Sequence, residues 1–144
     1  MALADSLKEY LADHAVYKIK AHGFHWNVEG EDFIELHKLF GKIYEDAEDA
    51  IDTIAEYLRA MDEFAPGSLK RFMDLTGITE QLKVPNSTLM VEELLKDTEY
   101  LIADSKALFD EATAEKENGI ANFVADRQSA LGKWAWQLRV FLKD

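Results

Sequence analysis

Apolar residues recur at three- and four-residue steps through almost the whole chain, a period that marks amphipathic helix rather than strand. Leu3, Leu7, Tyr10, Leu11, Tyr17, Ala21, Phe24 and Val28 trace the first stripe and predict a helix that stops in the turn at residues 27–30. The second stripe is the clearest. Phe33, Leu36, Phe40, Ile43, Ala47, Ile51, Ile54, Leu58 and Met61 predict one uninterrupted helix over residues 33–61. Leu89, Leu94, Leu95, Leu101, Ile102, Leu108 and Phe109 predict a third long helix, with Glu92 and Glu93 favourably placed near its positive N-terminal end. Ile120, Phe123, Val124, Leu131, Trp134, Leu138, Phe141 and Leu142 predict a fourth.

Turn-forming clusters are confined to residues 27–31, 65–68, 84–88 and 117–119, and the chain contains only two prolines. About 20 residues connect the second and third long helices, too many for a simple bundle turn, and residues 68–73 read as a short helix inside that stretch. The pattern predicts an all-α fold over residues 1–144 as a single domain. Its form is a four-helix bundle with a short extra helix in the long connection between helices 2 and 3.

A length of 144 residues with 48% hydrophobic content suits one compact domain with a substantial core. The absence of cysteine leaves only His, Asp and Glu to hold a metal, and it fits a reducing cytoplasm. The N-terminal residues carry charges inside their apolar pattern and read as the start of a helix rather than a signal peptide. No stretch approaches the ~18 uncharged apolar residues that span a bilayer, so a soluble, cytoplasmic protein with no membrane partner is expected. A formal net charge of −12 repels phosphate backbones and makes DNA an unexpected partner. The same acidity could gather metal cations, although in most soluble proteins it serves only solubility.

The candidate chemistry lies in His25 and His37, followed by Asp52 and Glu56 one helical turn apart. Imidazole nitrogen with carboxylate oxygen suits iron or zinc. On one continuous helix His37 and Asp52 stand ~22 Å apart at ~1.5 Å per residue, whereas a metal–ligand bond is only ~2 Å. A site using all four residues must therefore be built from two copies, as a two-fold dimer with the metal in its seam. The bland alternative for Asp52 and Glu56 is a solvated helix face, since Glu45, Asp46, Glu48 and Asp49 crowd the same region. Their register argues otherwise, because the spacer Thr53-Ile54-Ala55 continues the apolar stripe and sets the pair at the border of a buried surface.

No histidine has a Glu three residues before it, which disfavours a Glu-x-x-His site inside one bundle. Lys20-Ala21-His22-Gly23-Phe24-His25-Trp26-Asn27-Val28-Glu29-Gly30, then Phe33-Ile34-Glu35-Leu36-His37, then Asp52-Thr53-Ile54-Ala55-Glu56 together resemble the Dps family, the miniferritins named as DNA-binding proteins from starved cells. The likeness extends through Pro66-Gly67-Ser68-Leu69-Lys70 and through residues 136–142. The resemblance implies a ferritin-like bundle assembled into a hollow homododecamer. It implies ferroxidase sites at the two-fold interfaces, with His25 and His37 from one subunit and Asp52 and Glu56 from the other.

In that arrangement Asp52 and His25 hold the first iron, and Glu56 bridges toward a second iron, or a water in its place, near His37. Such a protein oxidises Fe(II) to Fe(III), preferring hydrogen peroxide to dioxygen, stores ferric oxyhydroxide in its cavity and limits oxidative damage. Zn(II) could stand in place of iron. Trp26, beside the site, is a candidate electron donor, and an aromatic wedge in the interface is the equal alternative. His14 and His22 fall outside the family's ligand positions and read as structural, although His22 and His25 share a helical face and leave a zinc site open.

The chain departs from the family pattern at several positions. Gly41 stands where many members carry an Asp that helps hold the second iron; close approach of the partner helix is one explanation, and loss of a ligand is the other. Lys38 and Lys42 replace positions that are often acidic and line the mineral cavity, so nucleation is expected to shift to Glu45 and Asp49. Glu115, Glu117 and Asp126 are candidates for an iron-entry pore, with Asn118 and Asn122 where carboxylates would be sought. The chain shows no Lys/Arg-rich terminal tail of the kind used by DNA-binding members. The reading that competes with an iron-oxidising enzyme is a ferritin-like metal-binding shell whose ferroxidase activity Gly41 has impaired.

Overall fold

In the computed structural model, which describes residues 2–143, the chain forms five helices: α1 (Leu3–Asn27), α2 (Phe33–Ala60), α3 (Leu69–Leu75), α4 (Ser87–Ala114) and α5 (Asn118–Phe141). No strand occurs among the described residues. The four long stripes of the sequence are α1, α2, α4 and α5, and the short helix expected in the long connection is α3. Helix α1 pairs with α2 and α4 with α5, α1 also packs on α4, and α3 lies against α1. The fold is thus the all-α four-helix bundle expected, with its extra helix in the crossover.

Local chemistry sets the helix ends. Ser68 accepts a hydrogen bond from the Arg71 amide to start α3, and Asn86 Oδ1 accepts from the Leu89 amide at 2.9 Å to start α4. Helices α2 and α4 end in left-handed residues without glycine, Asp62 at φ 62° and Lys116 at φ 60°. In both, the next amide reaches back five residues, Glu63 to the Leu58 carbonyl and Glu117 to the Ala112 carbonyl, which satisfies carbonyls the helix would leave open.

The core has two apolar clusters with a polar belt between them. Leu3, Leu7, Leu11, Ile54, Leu58, Leu108, Ile120 and Val124 pack at one end of the bundle, and Phe24, Leu36, Phe40, Ile43, Leu94, Leu131 and Leu138 at the other. In the belt, the Tyr10 hydroxyl bonds Ser105 Oγ at 2.6 Å and the Tyr17 hydroxyl bonds Thr98 Oγ1 at 2.7 Å. Ser105 and Thr98 donate onward to the carbonyls of Leu101 and Leu94, so both tyrosines are the donors.

Arg127, nearly fully buried, donates from Nη1 to Asp46 Oδ2 at 2.8 Å and from Nε to His14 Nε2 at 3.3 Å, and Trp134 Nε1 joins the same Asp46 oxygen at 3.0 Å. This belt joins all four long helices and fixes their register, since Tyr10–Ser105, Tyr17–Thr98, Arg127–His14 and Arg127–Asp46 each cross from one helix to another.

The connection before α4 is tied down as well. Asp13, fully buried on α1, accepts from Thr76 Oγ1 at 2.7 Å and from the Gly77 amide at 2.8 Å. Lys20 pairs with Asp97 at 2.6 Å and donates to the Thr79 carbonyl at 2.9 Å. At Gly77 the Tyr100 hydroxyl packs against the backbone, and a side chain there would push that ring aside. These bonds hold residues 76–79 against α1 and α4 and keep α3 docked beside them.

Candidate metal centre

His25 lies in the last turn of α1 and His37 in the second turn of α2, and the short turn between the helices folds one onto the other. Their rings stack with centroids 3.8 Å apart and planes 14° from parallel. The pair is clasped reciprocally: His25 Nδ1 bonds the His37 carbonyl at 2.6 Å, and His37 Nδ1 bonds the His25 carbonyl at 2.7 Å. A carbonyl oxygen only accepts, so each Nδ1 carries the proton and each Nε2 keeps its lone pair. Metal-binding imidazoles are typically oriented in this way, by a second hydrogen bond from the nitrogen away from the ion.

The stacking also limits what the pair can hold. An imidazole lone pair lies in the ring plane, so two nearly parallel rings cannot converge on one ion at bonding distance. Two separate ions, one per ring, would fit this geometry better than a single bis-histidine ion.

Helix α2 runs unbroken from Phe33 to Ala60, so the condition behind the ~22 Å separation of His37 from Asp52 is met. Asp52 and Glu56 are exposed on that helix, while His25 and His37 are partly buried. Among the described residues, no three His, Asp or Glu side chains of one chain come together as a metal-holding group. The structure brings His25 and His37 together and leaves Asp52 and Glu56 apart from them.

The remaining candidates separate by environment. His14 is completely buried with both nitrogens engaged, Nδ1 to the Tyr10 carbonyl and Nε2 to Arg127; burial first, then the Arg127 charge, lowers its pKa to about 3. It is a neutral member of the belt, as its structural reading expected. His22 lies face to face with Tyr44, centroids 3.8 Å apart and planes 6° from parallel, and Trp26 packs on it at 4.1 Å. Desolvation, with smaller contributions from Lys18 and His25, lowers the His22 pKa.

Trp26 is 64% exposed and reaches the His25 pair through this stack. Tyr44, 5.6 Å from the His25 ring, is the site neighbour that the sequence did not single out, although its i+7 spacing from His37 on α2 was available as a signal.

Gly41, buried on α2, faces the His25 ring: a Cβ placed there would stand 2.9 Å from His25 Nδ1. The close approach at Gly41 therefore comes from α1 of the same chain. Lys38, Lys42, Glu45 and Asp49 are exposed on α2. Lys38 and Lys42 line a cavity of about 390 Å³ with Glu35, Leu39, Trp136 and Val140. Glu115 and Glu117 are exposed at the α4–α5 turn and Asp126 is exposed within α5.

Beside the centre lies an apolar groove of about 520 Å³ lined by Ile19, Trp26, Leu69, Met73, Leu82 and Val84, several of them more than half exposed.

The ferritin-like domain family model matches residues 4–144. Over 143 residues the chain is 32% identical to the DNA protection during starvation protein of Helicobacter pylori, covering 99% of both chains. The chain belongs to the Dps family. Among solved structures, a Dps protein from Bacillus brevis superposes with TM-score 0.95 at 28% identity, covering 98% of this chain and 95% of that one. The Dps protein of Vibrio cholerae, described as a member of a broad superfamily of ferritin-like diiron-carboxylate proteins, superposes with TM-score 0.94 at 26% identity over 98% of this chain and 89% of that one. A Dps-family chain of this kind is an iron-storing miniferritin, so iron is the metal against which the His25–His37 pair is to be weighed. No helix among the described residues is long and apolar enough to cross a membrane.

Proposed function

We propose that this protein oxidises Fe(II) at centres formed between two copies of the chain, with hydrogen peroxide as the preferred oxidant, and stores the ferric product inside a dodecameric shell. The observation that carries the reading is the His25–His37 clasp, which aligns two imidazoles side by side, each with a free Nε2. In this reading Asp52 and Glu56 of the partner subunit face that pair and complete a nitrogen–oxygen donor set suited to ferrous and ferric ions. Their exposure within one chain and the open apolar groove beside the centre support burial against a second copy, because exposed apolar patches of this kind mark interaction surfaces.

The chemistry is a two-electron reduction of peroxide: two Fe(II), one H2O2 and two protons yield two Fe(III) and two waters, and no hydroxyl radical is released. His25 and His37 bind and orient the ions, the carboxylates offset the rising positive charge, and Glu56 bridges between ions. Trp26, packed on His22 beside the centre, would supply an electron when only one ion is bound, and that packing supports the role. The exposed Glu45 and Asp49 would start the mineral in place of the lysine-bearing turn before them. The net charge of −12 argues against DNA as a partner, whatever the names of its relatives.

Gly41 favours a second reading, a ferritin-like shell that binds metal and oxidises it poorly, because α2 offers no carboxylate at that turn. Stopped-flow absorbance of Fe(II) oxidation by hydrogen peroxide at two irons per chain separates the two. Fast oxidation consuming about one peroxide per two irons, and lost in Asp52→Asn, is the result expected of an interface ferroxidase. Slow oxidation that is the same in both proteins, with Zn(II) bound, would put the passive shell in its place.

A further inference from the structure

Gly41 stands in the middle of a long helix, where glycine is the least favourable residue after proline, and its site is buried. A Cβ built there would lie 2.9 Å from His25 Nδ1 and 3.0 Å from His25 Cε1, closer than a side chain tolerates. That same Nδ1 makes the 2.6 Å bond to the His37 carbonyl. The imidazole is therefore confined from three directions: the α2 backbone at Gly41, the carbonyl of His37 and the stacked His37 ring. Moving it away from position 41 strains both the bond and the stack.

We propose that Gly41 is a positioning residue for the metal centre, its missing side chain being the space that seats the His25 ring. Building on the iron-centre reading above, this makes the glycine more than a lost ligand. A side chain at position 41 would press on the His25 ring and strain its bond to the His37 carbonyl, the bond that controls which nitrogen stays free for the metal. An aspartate would bring an oxygen donor, but it brings its Cβ first. In this chain a carboxylate at position 41 would have to push the His25 ring from its seat. The centre consequently relies on His25 with the partner subunit's carboxylates for its tighter ion and leaves the ion beside His37 with fewer protein ligands.

The test uses the assembled protein and Gly41→Ala and Gly41→Asp variants. Crystal structures of the metal-free variants report the His25 ring, and Co(II) titration followed by visible absorption reports the centre without any oxidation step. Alanine is the better helix former, so a loss in Gly41→Ala cannot come from a weakened helix, and it remains informative if Gly41→Asp fails to assemble. Both variants are expected to show His25 turned away from the His37 carbonyl and Co(II) affinity reduced about tenfold or more, with aspartate giving no rescue.

A His25 ring still seated in Gly41→Ala with unchanged Co(II) affinity would overturn the proposal. So would tighter Co(II) binding in Gly41→Asp than in the wild type. If the wild-type assembly itself takes up no Co(II), the iron-centre reading fails, while the ring position in the variant structures still decides whether Gly41 seats His25.

Discussion

His14 and His25 lie on the same face-alternating helix, α1, yet their surroundings give them opposite roles. His14 is sealed in the polar belt, both nitrogens hydrogen-bonded, and held neutral by burial and by Arg127. His25 is partly exposed at the helix end, with one nitrogen bonded to a carbonyl and the other free. The contrast shows what separates a structural histidine from a candidate ligand in this bundle. The deciding feature is whether the second nitrogen is already used, and burial matters because it determines what is there to use it.

The comparison can be broken most severely from the belt side. Asp46→Ala leaves the Arg127 guanidinium buried without its carboxylate, and because Asp46 is partly open to solvent the expected loss is about 3 kcal/mol, the low end for a broken buried pair. Urea unfolding should detect it. An unchanged midpoint would mean that the belt is not a structural element.

A smaller effect is expected from His14→Leu, which leaves Arg127 Nε without its acceptor and should lose about 1–3 kcal/mol at neutral pH while Co(II) binding stays intact. The pH profile sharpens this test. Folding lowers the His14 pKa from 6.5 to about 3, so the unfolded chain takes up its proton first, and stability should fall as pH drops from 6.5 toward 3. His14→Leu should flatten that limb.

Asp104 works in the opposite sense: burial, then the neighbouring Asp13, Glu9 and Glu111, raise its pKa from 3.8 to about 7. The folded chain keeps a proton there that the unfolded chain releases. Its contribution is complete below 3.8 and lost as pH rises toward 7, so Asp104→Asn should remove this decline at the neutral end. Stability measured by denaturant at several pH values would show either limb unchanged if the assignment is wrong.

The smallest effect on stability is expected from the metal side. His37→Ala removes a partly exposed ring and should change stability by about 1 kcal/mol or less, while Co(II) affinity drops tenfold or more. Equal losses in both properties would place His37 with His14 as a structural residue and erase the distinction between the two regions.

Much of this was legible in the residues. The stripe from Phe33 to Leu58 marked α2 because helix periodicity is local, and the buried positions Leu36, Phe40, Ile43, Ala47, Ile54 and Leu58 follow it. Phe33 belongs to the same stripe but is 39% exposed, since it lies at the first turn, where the covering helix has already ended. The pairing of His25 with His37 was visible as a motif, and the clasp that fixes their tautomers was not, because its acceptors are backbone carbonyls that carry no residue signature. Arg127 was missed for a related reason. An arginine within an apolar stripe reads as surface until the half-buried Asp46 and the buried His14 that receive it are placed.

The sequence by itself determined the helices, their lengths and the long crossover, because those follow from contacts within a few residues along the chain. It also carried the separation of His37 from Asp52, which is a matter of helical rise alone. Only the tertiary structure decided which histidine nitrogens remain free, what closely approaches Gly41 and which groups meet in the belt. Each of these depends on groups far apart in sequence meeting within hydrogen-bonding or van der Waals distance, and no local pattern encodes that meeting.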